Sequence, residues 1–217
     1  MIKRRTFAAH LSTCSAAIAL APAAALSALS TPGQVEGPFY PVDTRGERDV
    51  DLTQLEGHAE AAKGESIIVR GTVLGRRGEA LPGAVVDIWQ ANQHGRYNHP
   101  RDPNPAPLDP DFQGWGIMKT SRQGEYGFKT IKPGAYPLAP LGGRGWRCRH
   151  IHFKVSCPGY QPLTTQMYFE GDPLIDQDQV LARAPAAARH LLIAAAEQGE
   201  VSGLPEYRFD ITLAQST

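Results

Sequence analysis

The sequence predicts an all-β fold, an antiparallel β-sandwich core with long loops and one helix in its C-terminal half. Three observations carry that expectation. Short runs of β-branched and apolar residues recur, clusters of turn-formers separate them, and only one stretch has helical spacing. With 22 glycines and 18 prolines among 217 residues, the chain is well supplied for tight turns.

The elements follow in order. Residues 31–51 are rich in turn-formers without a period and read as an ordered arm. Ser66 to Leu74 is a β-branched strand, and Gly75 to Gly83 supplies its turn. Ala84 to Gln90 forms a second strand, with Val86, Ile88 and Gln90 on one face and Val85, Asp87 and Trp89 on the other. A loop from Ala91 to Gly114 leads to strands at Trp115–Thr120 and Glu125–Thr130. Further strands are expected at His150–Ser156, Thr164–Phe169 and Tyr207–Leu213. The helix is expected from Pro185 to Gln198, where Ala188, Leu191, Leu192 and Ala195 share one face. Asp176 or Asp178 could cap a short helical turn leading into it.

Basic and acidic residues number 22 each, so no strong field recruits nucleic acid or a membrane surface. The first thirty residues stand apart. Lys3-Arg4-Arg5-Thr6-Phe7 precedes an Ala-rich, mildly apolar stretch without an acid, as in a cleaved export leader of the twin-arginine kind. Ser, Thr, His and Pro interrupt that stretch, which argues against a stable membrane span. The expected organisation is therefore a leader over residues 1–30 and one domain over 31–217, located in the periplasm or outside the cell. Without the leader, 19 basic side chains face 22 acidic ones. Cys148 and Cys157 then remain, with no CxxC or zinc spacing, so a disulfide framework is not expected.

The chemistry-bearing residues begin with His150 and His152. On a strand they share a face about 7 Å apart along the chain, close enough for one metal ion or for a pair of half-buried core histidines. Tyr97, in His94-Gly95-Arg96-Tyr97, follows a buried-looking strand. Tyr136 lies in Lys132-Pro133-Gly134-Ala135-Tyr136-Pro137, where prolines stiffen the backbone. No HExxH, blue-copper cysteine or two-histidine-one-carboxylate pattern accompanies them.

Several motifs, taken in order, resemble the intradiol ring-cleavage dioxygenases. They are Asp87-Ile88-Trp89-Gln90-Ala91-Asn92 through Gly95-Arg96-Tyr97, Thr130 to Pro137, Arg147-x-x-His150-Ile151-His152-Phe153, and Gln166 to Leu174. The likeness covers nearly all of residues 31–213. It implies one Fe(III) per chain held by Tyr97, Tyr136, His150 and His152, with one position open for substrate. It further implies that a catechol reacts with O2 to give a cis,cis-muconate. Arg147 would stabilise charge on the substrate, Tyr136 would leave the metal and accept a proton, and Gln166 would stand beside the metal. The chain departs from the family pattern at Cys148 and Arg149, and at Leu138, where a tryptophan is usual. Two readings of the pocket stay open: a homo-oligomer completing it from one kind of chain, or a more open site. Gly71-Thr72-Val73, Leu81 to Val86 and Gly124 to Phe128 also resemble exported transthyretin-like or carboxypeptidase-regulatory modules, which bind without catalysis. The ligand set with Arg147 is what separates the two.

Overall fold

The computed structural model describes residues 28–42, 49–198 and 203–216. All but the last three residues of the expected leader lie outside that range. Two five-stranded sheets face each other. The first is built on β1 (Ser66–Gly75), which pairs antiparallel with β4 (Glu125–Ile131). β1 also pairs in parallel with β11 (Pro205–Arg208) and then β12 (Ile211–Leu213), and β10 (Ala196–Gln198) joins β11. The second sheet runs in the order β3 (Trp115–Lys119), β2 (Val85–Trp89), β7 (His150–Ser156), β8 (Leu163–Phe169), β9 (Ile193–Ala194). A small hairpin, β5 (Tyr136–Pro137) with β6 (Trp146–Arg147), stands apart.

The core lies between the sheets, as the alternation of the strands requires. Ile67, Val69 and Val73 of β1 are fully buried, as are Ile151, Phe153 and Val155 of β7. The Phe153 ring meets those of Tyr126, Phe128 and Phe209 at 6.0, 6.1 and 4.9 Å between centroids. The even-numbered side chains of β7, including both histidines, therefore occupy its opposite face.

Three expectations change. The β-sandwich is as expected, but its sheets are mixed rather than purely antiparallel: β1 runs parallel to β11 and β12, and β8 to β9. The helix expected over Pro185–Gln198 is absent: Arg189–Leu192 forms a 3₁₀ turn, and β9 and β10 follow. Pairing of Ile193 and Ala194 with Tyr168 and Phe169 satisfies the β8 edge, and that tertiary gain outweighs the weak helical preference of an alanine-rich run. Among the described residues the one α-helix is the short α1 (Gln179–Ala182), capped by Asp178 through the N–H groups of Val180 and Leu181. The third change is in the last strand, which is broken between Arg208 and Ile211. There the Phe209 N–H donates to Arg70 O, and Gly71 lets the Phe209 carbonyl approach where a Cβ would collide with it.

Candidate metal centre

Strand register sets the floor of the site. Trp115 opposes Trp89, Trp89 opposes His152, and His152 opposes Gln166, so one row crosses β3, β2, β7 and β8. The next row places His150 opposite Tyr168. Alternation puts these side chains on the face away from the core. The 31–39 arm crosses beside them: Gln166 Nε2 donates to Val35 O at 2.8 Å, and Thr165 Oγ1 donates to Pro32 O at 2.8 Å.

Two loops bring the tyrosines over this floor. Asn92 organises the first by accepting the His94 and Arg96 N–H groups on its side-chain oxygen. Its carbonyl accepts from both Gly95 and Gly134, joining the Tyr97 loop to the Tyr136 loop. A Cβ at Gly95 would strike Ala135, and one at Gly134 would strike Gln93 and Gly95, so the loops meet backbone to backbone. Asp102 then accepts the Tyr97 N–H at 2.7 Å and fixes the start of that side chain.

All four sequence-predicted ligands converge. The Tyr97 hydroxyl oxygen lies 3.2 Å from His150 Nε2 and 3.1 Å from His152 Nε2. The Tyr136 ring sits edge-on to Tyr97 with centroids 5.8 Å apart, and 5.7 Å from His150. All four residues are buried. His150 Nδ1 lies 2.7 Å from Cys148 O, which can only accept, so its proton is on Nδ1 and its Nε2 carries a bare lone pair. The phenol proton can serve only the His150 lone pair, so His152 Nε2 either donates its own proton to the phenol oxygen or shares a cation with it. Two nitrogen or oxygen donors held cis at about 2.1 Å from one cation lie about 3.0 Å apart, the spacing found here. This donor set fits a hard, high-valent first-row ion, for which phenolate and imidazole are suitable ligands.

The electrostatics agree. Burial pushes both imidazoles well below their ordinary pKa, and Arg147 adds to this, so both are neutral. Burial likewise pushes the Tyr97 and Tyr136 phenols up, while Arg147 opposes it. Only a nearby cation would make such phenols ionise at neutral pH. Among the described residues, no three His, Cys, Asp or Glu side chains gather as a metal-binding group.

Arg147 reaches the site from β6. Its Nη2 donates to Gln166 Oε1 at 2.5 Å and lies 3.3 Å from the Tyr168 hydroxyl, while its Nε donates to Asp178 Oδ2 at 2.8 Å. Gln166 thus orients Arg147, and Asp178 anchors it. Burial disfavours the guanidinium charge, but Tyr136, Tyr168 and Asp178 outweigh that and raise its pKa. Tyr168 and the anchoring role of Asp178 were not foreseen from sequence. The i, i+2 spacing of Gln166 and Tyr168 on β8 was the available signal for the first. The departures sit around this network. Cys148 is buried with its Sγ 3.4 Å from Asp178 Oδ2, Arg149 turns to Asp172 at 3.0 Å, and Leu138 packs against the Trp89–Tyr97–Tyr136 cluster. Both described cysteines are free.

The family model described as "Dioxygenase" matches residues 35–215. The chain belongs to the intradiol dioxygenase family. Among curated relatives, the protocatechuate 3,4-dioxygenase beta chain of Burkholderia cepacia is 42% identical over 182 residues, covering 81% of this chain and 76% of its own. Catechol 1,2-dioxygenase 2 of Acinetobacter lwoffii is 34% identical over 185 residues, and this chain spans 61% of it. Among solved structures, the dioxygenase domain of a carbohydrate-binding fusion protein from Streptomyces sp. SirexAA-E superposes with a TM-score of 0.64 at 29% identity. That match covers 86% of this chain and 99% of the domain. The catechol 1,2-dioxygenase of Acinetobacter radioresistens superposes with a TM-score of 0.66 at 27% identity, covering 87% of this chain and 63% of its own. Family membership favours an oxidoreductase over the metal-free binding modules.

Proposed function

We propose that this chain binds one ferric ion through Tyr97, Tyr136, His150 and His152 and opens a catechol ring between its hydroxyl-bearing carbons. The observation that carries this reading is the Tyr97 oxygen set 3.2 and 3.1 Å from two imidazole Nε2 atoms in a buried site. Held there, Fe(III) would supply the Lewis acidity and redox character that make a catechol ring reactive toward O2. The protein's groups do the rest. Tyr136 Oη accepts a proton from a substrate hydroxyl. The Arg147 guanidinium, held by Gln166 at Nη2 and by Asp178 at Nε, faces the negative charge that builds on the opening ring. The dry surroundings strengthen that interaction. Both atoms of O2 enter the product, a cis,cis-muconate.

Protocatechuate-like catechols fit the likeness to the beta chain, and Leu138 in place of a tryptophan favours substrates bulkier than catechol itself. Oxygen uptake against a panel of catechols, with products weighed by mass spectrometry, tests the reading. A mass gain of two oxygen atoms and a diacid product support it. A ring cut beside the diol, or no uptake by iron-loaded protein, overturns it. The Arg4-Arg5 leader supports export of the folded protein to the periplasm or beyond. Replacing the pair by Lys-Lys should hold the precursor in the cytoplasm on fractionation, and unchanged export would remove the twin-arginine route.

A further inference from the structure

The two histidines are held in different ways. His150 is tethered at Nδ1 by Cys148 O at 2.7 Å. His152 Nδ1 is buried and has no hydrogen-bond partner among the described residues. Metal-bound imidazoles ordinarily use that second nitrogen to fix ring orientation. His152 has something else. The Trp89 indole lies flat on it, with centroids 4.6 Å apart and planes 10° apart. Trp89 is 1% exposed and directly opposes His152 across β2 and β7.

The indole is itself wedged in place. Tyr40 meets it edge-on at 5.0 Å. The Tyr40 hydroxyl donates to Asp87 Oδ2 at 2.6 Å, and Trp115 Nε1 donates to Asp87 Oδ1 at 2.6 Å. The buried carboxylate of Asp87 thus fixes rings on both flanks of Trp89. The Trp89 N–H has no partner among the described residues, so packing rather than hydrogen bonding sets the indole plane. Rotation of the His152 ring about its Cβ–Cγ bond would drive it into the indole.

We infer that Trp89 is the positioning residue for His152, replacing by stacking the hydrogen bond that a metal-binding imidazole usually makes. The inference rests on the reading of Tyr97, Tyr136, His150 and His152 as one ferric site. It assigns Trp89 no contact with substrate. A flat ring at position 89 should suffice, whereas a flexible side chain of similar bulk should not.

The test uses iron-loaded, full-length protein carrying Trp89→Met, Trp89→Leu or Trp89→Phe. Two quantities are measured: the rate of iron loss to a strong chelator under native conditions, and the line shape of the ferric electron paramagnetic resonance spectrum. Losing an outer-shell partner typically changes metal affinity about 10–100-fold. Trp89→Met should therefore release iron about tenfold faster or more, with a broadened or heterogeneous spectrum, and Trp89→Phe should stay within about threefold of the parent. Trp89→Leu carries the same test if the methionine variant does not fold. Urea unfolding of the iron-free variants identifies a general packing defect. Release within twofold of the parent and an unchanged spectrum in a folded Met or Leu variant would overturn the inference, as would equal defects in Met and Phe. A parent protein that holds no ferric ion overturns the metal-site reading itself, a result distinct from either.

Discussion

Replacing Asp178 by Asn separates two tasks that one side chain performs. Its Oδ1 accepts the Val180 and Leu181 N–H groups at 2.9 and 3.0 Å, capping α1. Its Oδ2 accepts Arg147 Nε at 2.8 Å and the Cys148 N–H at 3.1 Å. Asparagine can keep the first pair, but its amide then places a donor against two donors. The ion pair is almost fully withdrawn from water, with side-chain exposures of 7% for Arg147 and 0% for Asp178. Breaking such a pair from one side costs about 3–5 kcal/mol, because the other charge is left buried alone. The expected outcome is a loss of that order in urea unfolding of the iron-free protein, with slowed ring opening in the iron-loaded form. The variant Arg147→Met/Asp178→Asn should recover part of the stability, since it leaves no charge buried alone while Oδ1 still caps α1. It should not recover turnover. A single-variant loss below about 1 kcal/mol, or normal turnover in the double variant, would refute the anchoring role. The pH dependence has a fixed sign. Burial tends to raise the Asp178 pKa, but Arg147 and the Leu181 and Cys148 N–H groups hold it below the ordinary carboxylate value. The stabilisation is therefore present above about pH 4 and lost as pH falls through the lower folded value. The gap between parent and Asp178→Asn should close in that acid range.

Other outcomes follow from the same geometry. Tyr97→Phe and Tyr136→Phe should each change the visible charge-transfer band of the iron-loaded protein and lower turnover by about tenfold or more; unaltered spectra would remove these oxygens from the metal. Arg147→Ala should retain iron and its visible colour while ring opening slows, and an unchanged rate would leave the arginine a structural role only. Cys148 is buried, and burial pushes its thiol pKa up, so it should resist alkylation until the protein unfolds. Prompt modification of Cys148 in folded protein, located by peptide mapping, would contradict its packing.

Much of the site was legible because its chemistry rides on strand alternation. His150 and His152 had to share a face once β7 was recognised, and its predicted limits match those observed. The convergence of Tyr97 and Tyr136 was not derivable from spacing. It depends on Gly95 and Gly134 meeting through the Asn92 carbonyl, a contact between loops that only the resemblance foreshadowed. Asp178 stood out only as a cap, since its partner Arg147 lies 31 residues away. Trp89 looked like an ordinary strand aromatic, because stacking on His152 follows from register between two strands and not from either alone. The C-terminal helix failed for a related reason. Ala188, Leu191 and Leu192 have helical spacing, but the open edge of β8 offered Ile193 and Ala194 a better partner than their neighbours did.

An anomalous-scattering map collected at the iron edge, from crystals of protein purified with its metal, addresses the centre most directly. One peak per chain should lie within bonding distance of Tyr97 Oη, Tyr136 Oη, His150 Nε2 and His152 Nε2. No peak there, or a peak whose neighbours exclude either tyrosine, would contradict the assignment of this pocket as a ferric site.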